Sequence, residues 1–203
     1  MNPQVIPYDD PQVTALVEEA LETGKTLIFP TDTVYGIGGN PWDERTLERV
    51  RGLKGRTADR PFTLHLPTTA TIERYARLDG RLRDVILRYL PGPFTLLLPA
   101  STGAPPSAVK DGLVGIRVPD HPFFTDVIAR LGRILFGTSV NVSGEPPIND
   151  VAEIIERFGR VDLIITGPVS EHPSTIIDAT VDPPRVVRGG SAADRLEPGD
   201  KVA

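Results

Sequence analysis

The sequence predicts one α/β domain built on a mixed parallel and antiparallel sheet with flanking helices. Helical and strand patterns alternate along most of the chain, and short turns rich in the 21 prolines and 19 glycines separate them. The last strands follow one another without helices between them, which indicates a mixed sheet. A length of 203 residues suits one domain. We expect a single domain over residues 1–203, with a core at about 10–190 and a loose C-terminal tail at 191–203.

The first half of the chain begins with a helix predicted from Asp10-Pro11, where an acidic cap precedes a proline. Gly24 ends this helix. The apolar run 26–29 predicts a buried strand, and Asp43 caps a second helix. The following elements are a strand at 62–66 and helices at 71–76 and 82–89.

The second half of the chain continues the alternation of strands and helices. Apolar residues spaced for one helix face predict helices at 124–131 and after the cap residue Asp150. Short apolar runs predict six strands, at 94–98, 113–118, 134–136, 163–166, 175–178 and 185–187.

The composition excludes several classes of protein. The net charge of −5 argues against a protein devoted to nucleic acid, although it allows a local basic cleft. The absence of cysteine excludes disulfide scaffolds, thiolate metal sites and cysteine nucleophiles. No run of about 20 apolar residues predicts a membrane helix, and the first ten residues do not resemble a signal peptide. We therefore expect a cytoplasmic protein without a membrane contact.

Three polar segments could bind a ligand, and each has a structural alternative. Residues 30–38 carry two threonines and an aspartate after a buried strand, but a turn bonded to its own backbone fits equally well. Lys54, Arg56 and Arg60 suit a polyphosphate, although a solvated surface loop is commoner. Residues 137–144 offer small donors for a phosphate or a ribose, or form an ordinary loop.

Two charged or titratable residues lie within predicted strands. Arg117 interrupts an apolar strand, so it must face a bound anion or form an ion pair within the chain. His65 alternates with leucines, where a satisfied core histidine is the commoner outcome. Ser174 and Arg188 lie at opposite ends of a possible hairpin. The three histidines are too far apart in sequence to indicate a zinc site, and we expect no metal ligands from protein side chains.

The order of these segments resembles that of the YrdC-like family of threonylcarbamoyl-AMP synthases, from about residue 27 to residue 190. The family signature is K-x-R followed by S-x-N, here Lys54, Arg56, Ser139 and Asn141. Thr57 stands where the family usually has proline. The segments that carry the resemblance are P-T-D-T-V-Y-G-I-G at 30–38, K-G-R at 54–56, P-G-P-F-T-L-L-L at 91–98, G-I-R-V-P at 115–119, T-S-V-N-V-S-G at 138–144, S-T-I-I-D at 174–178 and V-V-R-G-G at 186–190.

The resemblance implies a fold and a reaction. The fold is a twisted mixed sheet with a concave, positively charged cleft. The reaction converts L-threonine, bicarbonate and ATP, with Mg²⁺ on the phosphates, into threonylcarbamoyl-AMP and pyrophosphate. The product feeds the machinery that modifies adenosine 37 of tRNA. An RNA-binding module with weak RNA contacts, or a non-catalytic relative with the same surface, is the alternative.

The resemblance also implies roles for individual residues. The signature residues Lys54, Arg56, Ser139 and Asn141 are expected to be catalytic. Lys54 and Arg56 should line an open cleft, so that replacing either by alanine would barely change stability. The nucleotide is assigned to Lys54, Arg56, Arg60, Ser139, Asn141 and Arg188. Threonine is assigned to Thr33, His65, Arg117 and Ser174, with Gly137 close to it and with its carboxylate on Arg117.

Overall fold

Twelve strands form one mixed sheet in the computed structural model, which describes residues 2–192 and the backbone of residues 201–202. The strands are β1 Gln4–Pro7, β2 Leu27–Phe29, β3 Gly36–Gly39, β4 Thr63–His65, β5 Phe94–Pro99, β6 Val109–Lys110, β7 Leu113–Arg117, β8 Leu135–Ser139, β9 Leu163–Thr166, β10 Thr175–Asp178, β11 Arg185–Arg188 and β12 Lys201–Val202. Their order is β1-β9-β2-β3-β8-β4-β7-β5-β10-β11-β12, and β6 pairs with β7. Parallel pairs such as β4 with β7 and antiparallel pairs such as β5 with β7 confirm the predicted mixed sheet.

Helical segments accompany the sheet. Asp43 and Asp150 cap their helices as predicted, each accepting a hydrogen bond from the backbone three residues on. No helix among the described residues is long and apolar enough to cross a membrane. The helices are α1 Val13–Glu22, α2 Glu44–Lys54, α3 Gly80–Tyr89, α4 Ala129–Leu131 and α5 Val151–Phe158; 3₁₀ turns lie at Thr69–Arg74 and Pro106–Ala108, and a π-helical segment at Phe123–Ile128 precedes α4.

Helix α1 begins later than predicted. The Asp10 carboxylate accepts a hydrogen bond from the backbone N–H of Gln12 at 2.8 Å, which closes a turn before the helix. The helix proper therefore begins at Val13 rather than at Asp10-Pro11. Gly24 follows it with a φ of +69°, the left-handed conformation that ends helices, as predicted.

Two predicted α-helices have a different winding, and four strands, β1, β3, β6 and β12, were not predicted. The helix expected at 71–76 is the 3₁₀ turn, and most of the helix expected at 124–131 is π-helical. Strand β1 lies outside the expected core at 10–190 yet pairs in parallel with β9. Ile6 is its only buried residue and a proline ends it, so the strand shows no alternating apolar pattern.

Strand β3 begins within the polar segment 30–38, for which a turn was one of the two expectations, and ends one residue beyond it. A Cβ at Gly38 would lie 1.8 Å from the carbonyl oxygen of Phe136, so only glycine allows β8 to approach so closely. Gly38 pairs with Gly137, the first residue of the polar segment 137–144. The two polar segments are therefore neighbours within the sheet.

The expected C-terminal tail is partly a strand. The backbone of residues 201–202 pairs in parallel with β11, which would otherwise present an open sheet edge. The prediction of a loose tail is wrong for these two residues. Residues 193–200 and 203 lie outside the described part of the chain.

Side chains of the central strands alternate between two faces. On β4, β5 and β7, buried residues such as Leu64, Leu96 and Ile116 pack in one apolar cluster with residues of α3. The residues between them, including His65, Thr95 and Arg117, line a cavity. The polar residues of the central strands thus face away from α3.

Candidate active site

A cavity of about 600 Å³ collects most of the residues that the sequence singled out. Its size is in the range of pockets for small ligands and cofactors. Thr33 alone of the predicted site residues does not line it. Those that do are Lys54, Arg56, Arg60, His65, Arg117, Gly137, Ser139, Asn141, Ser174 and Arg188.

Thr33 is fully buried behind Thr31, which does line the cavity. The Thr31 hydroxyl donates to the carbonyl of Val34 at 2.7 Å and lies 3.1 Å from the Thr33 hydroxyl. Because the proton of Thr31 is already used, Thr33 must donate in the second bond. The Thr31 oxygen also accepts from the backbone N–H of Thr33 at 3.2 Å, so its proton and both lone pairs are used. Only the Thr33 hydroxyl, which does not line the cavity, keeps free lone pairs.

Lys54, at the end of α2, is 1% exposed, so the expected open location is wrong. Its ammonium contacts the carbonyl of Ser139 and donates to the carbonyl and the side-chain oxygen of Asn141 at 2.8 and 3.0 Å. Burial, together with the charge of Arg56, lowers the pKa of Lys54 to about 7. The three oxygens use all three ammonium protons and so favour the charged form.

The side chain of Asn141 is saturated with hydrogen bonds from the protein itself. Its oxygen accepts from Lys54 and, at 2.6 Å, from the hydroxyl of Ser139. Its amide donates to the carbonyls of Val142 and Glu145 at 2.8 and 2.9 Å. Lys54 and Asn141 therefore hold the segment after β8 in shape, while the Ser139 hydroxyl keeps only its lone pairs for a ligand.

Arg56 lies half-buried beside other cations. It donates to the carbonyl of Pro61 at 2.6 Å, its guanidinium lies 5.2 Å from the Phe62 ring, and its Nε has no partner among the described residues. Burial, followed by the charges of Arg60 and Arg51, lowers the pKa of Arg56 to about 10. A cluster of positive charges with an unused hydrogen-bond donor is suited to binding an anion.

Arg117 finds a partner within the chain. Its Nη2 contacts the Asp32 carboxylate, and the two side chains are 5% and 12% exposed. Of the two alternatives for Arg117, the structure thus contains the ion pair. The pair is incomplete, since the Arg117 Nε and the second Asp32 oxygen are buried without a partner in the described chain. Burial lowers the pKa of Arg117 and the charge of Asp32 opposes that shift.

His65 lines the cavity as a neutral ring. Its Nδ1 lies 3.2 Å from the carbonyl of Thr63, an acceptor, so Nδ1 carries the proton and Nε2 is a bare acceptor. Burial and the charge of Arg117 lower the pKa of His65 to about 3. A Cβ at Gly137 would lie 2.9 Å from the His65 ring, which explains the glycine there.

Ser174 makes two hydrogen-bonding contacts, one through its carbonyl and one through its hydroxyl. Arg188 donates to its carbonyl at 2.8 Å, and its hydroxyl lies 2.9 Å from the hydroxyl of Thr95. Sequence reasoning missed Thr95 and gave no role to Asp32. Thr95 was counted within an apolar strand, although its alternation with Phe94 and Leu96 places it on the same face as Leu97, which also lines the cavity.

Comparisons with known proteins identify the family of the chain. The family profile Sua5_yciO_yrdC, described as telomere recombination, matches residues 19–190. The threonylcarbamoyl-AMP synthase of Pyrococcus abyssi is 34% identical over 184 residues, 87% of this chain and 54% of that protein. The synthase of Vibrio vulnificus strain YJ016 is 31% identical over 175 residues, 82% of this chain and 93% of that protein.

A solved structure extends the comparison to three dimensions. The crystal structure of P. abyssi Sua5 complexed with L-threonine matches with a TM-score of 0.88 and 28% identity, over 100% of this chain and 63% of that one. The chain therefore spans about half the length of the curated Pyrococcus relative. The profile match covers most of the sequence, and the chain belongs to the Sua5/YciO/YrdC family.

Proposed function

We propose that the protein is a threonylcarbamoyl-AMP synthase, which makes threonylcarbamoyl-AMP and pyrophosphate from L-threonine, bicarbonate and ATP. The observation that carries this proposal is that one cavity is lined both by a cluster of cations around Arg56 and by a second charged group, Arg117. The names of the relatives and the threonine bound to P. abyssi Sua5 support the same reaction. The product would pass to the machinery that modifies adenosine 37 of tRNA.

The proposed reaction has two steps. The ammonium group of threonine and hydrogencarbonate give a carbamate, with loss of one water and one proton. A carbamate oxygen then attacks the α-phosphorus of ATP, and the bond from that phosphorus to the bridging oxygen breaks to release pyrophosphate. This is a nucleotidyl transfer, in which the protein's contribution is to align two anions and offset their charge.

The residues divide between the two substrates. Arg56 and Arg60 would contact the phosphates, because their charges repel one another until an anion is present. Arg117 would bind the carboxylate of threonine with the donors that Asp32 leaves unused. Lys54 and Asn141 would contribute indirectly, because their hydrogen bonds fix the position of Ser139. Arg188 would fix Ser174 in the same way.

Mg²⁺ would enter with the ATP phosphates and supply positive charge to them. Asp111 and Glu145 are the two carboxylate residues among those described that line the cavity, and Glu145 contacts Arg157. Two carboxylates are too few to enclose Mg²⁺, so the ion would keep phosphate and water ligands.

The proposal is tested by measuring pyrophosphate release with threonine, bicarbonate and ATP each omitted in turn. We expect release to need all three. Release that ignores threonine would overturn the proposal. Tight binding of duplex RNA at physiological salt without turnover would favour the RNA-binding module, and ATP binding without turnover a non-catalytic relative.

A further inference from the structure

Thr95 and Ser174 form a buried pair of hydroxyl groups at the wall of the cavity. Thr95 is 3% exposed, Ser174 is 7% exposed, and their oxygens lie 2.9 Å apart. Neither hydroxyl has another hydrogen-bond partner in the described part of the chain. Two hydroxyls carry two protons, and the bond between them uses one. The pair therefore has one unused proton, which a ligand oxygen can accept.

The sheet register places this pair beside Arg117. Leu96 of β5 lies opposite Ile116 of β7, so Thr95 and Arg117 face each other one residue further along. A Cβ built on Gly115 would lie 3.7 Å from the methyl carbon of Thr95, while the Thr95 hydroxyl contacts Ser174. The unused hydroxyl proton and the unused guanidinium donors thus line the same part of the cavity.

The hydroxyls of Thr31 and Thr33 form a contrasting pair. The proton of Thr31 goes to the carbonyl of Val34, and the proton of Thr33 goes to Thr31. That pair has no proton left to donate, and the Thr31 oxygen also accepts from the backbone N–H of Thr33, whereas the pair of Thr95 and Ser174 can donate one proton. A carboxylate, which only accepts, fits the second pair and not the first.

We propose that Thr95 is a substrate-binding residue, and that its hydroxyl and that of Ser174 act with Arg117 as one donor group for the carboxylate of the amino-acid substrate. This inference rests on the proposed function. Asp32 occupies Nη2 of Arg117, so the hydroxyl pair supplies a donor that the guanidinium has lost. A buried hydroxyl proton without an acceptor is costly, and a bound carboxylate removes that cost.

The test replaces Thr95 by valine, which keeps the shape of the side chain and removes the hydroxyl. Thr175→Val is the matched control, because Thr175 is also fully buried in the neighbouring strand but does not line the cavity, and its hydroxyl has no partner among the residues that the structure describes. We expect Thr95→Val to raise KM for threonine about tenfold, the scale of one lost hydrogen bond to a charged group. The KM for ATP and all constants of Thr175→Val should stay near the wild-type values.

A double variant tests whether the two hydroxyls act as one group. If they do, Thr95→Val together with Ser174→Ala should raise KM for threonine no more than the larger single effect. If the double variant raised KM for threonine by the product of the two single effects, the two hydroxyls would act independently, and the proposal of one donor group would be wrong. A raised KM for hydrogencarbonate alone would overturn the assignment to the amino acid. If wild type shows threonine-dependent turnover and Thr95→Val matches Thr175→Val, only this inference fails; without such turnover in wild type, the proposed function fails.

Discussion

Lys54 and Asn141 join the end of α2 to the segment after β8 through two hydrogen bonds from one ammonium group, at 2.8 and 3.0 Å. The backbone repeats the connection, because the N–H of Ser143 donates to the carbonyl of Lys54 at 2.9 Å. Two distant parts of the chain that carry the family signature are thus fixed to each other before any substrate binds.

Lys54→Met should lower both stability and activity. The substitution keeps much of the side-chain length but leaves two carbonyls and an amide oxygen without their shared donor. We expect the free energy of unfolding to fall by about 2–4 kcal/mol. Urea denaturation measures it, with Arg45→Ala on the exposed face of the same helix as control. Unchanged stability of Lys54→Met would contradict the role we assign to Lys54.

Arg56→Ala should lower activity with little effect on stability. Arg56 contacts a backbone carbonyl and the Phe62 ring, but its Nε is unused and its neighbours repel its charge. Removing it relieves that repulsion while it deprives the phosphates of a cation. We expect kcat/KM to fall about 10²-fold, a loss of about 3 kcal/mol in transition-state stabilisation. A variant that melts well below wild type with normal kinetics would show a structural role.

The sequence predicted the sheet type from local patterns, whereas most of the cavity residues came from the family resemblance. Short apolar runs give strands wherever they occur, and the polar residues between them mark the face turned towards a ligand. The alternation of Leu64, His65 and Leu66 favoured a core histidine, whereas the structure places the His65 ring at the wall of the cavity. Strand β3 escaped prediction because its glycines serve the close approach of β8, a contact between segments about a hundred residues apart.

The sequence also could not predict which side chains pair with each other across the fold. Nothing in the local pattern relates Arg117 to Asp32, which is 85 residues away, or Thr95 to Ser174, which is 79 residues away. The same holds for Lys54, whose charge suggested an exposed location. Its burial depends on three oxygens from β8 and the residues after it, which only the folded chain brings together.

The buried neutral ring of His65 should make the protein less stable in acid. Its pKa of about 3 lies below the unfolded value of about 6.5, so the unfolded chain binds the extra proton first. The contribution of His65 to the free energy of unfolding is fully present above pH 6.5. It decreases as the pH falls towards 3, by up to about 1.4 kcal/mol per pH unit. His65→Gln should flatten that part of the pH dependence of unfolding. Equal slopes for wild type and His65→Gln would contradict the assignment.

Arg117→Lys should weaken the binding of threonine and leave the binding of ATP nearly unchanged. Lysine keeps a positive charge near Asp32 but loses the planar fork that holds Asp32 and a ligand carboxylate at once. We therefore expect a KM for threonine raised at least tenfold, a nearly unchanged KM for ATP, and a small change in melting temperature. Asp32→Asn is the companion variant, because it leaves the buried guanidinium without a counter-charge and should cost about 3 kcal/mol of stability. If Arg117 served only the ion pair, Arg117→Lys would change the KM values for both substrates alike, and these changes would accompany a loss of stability.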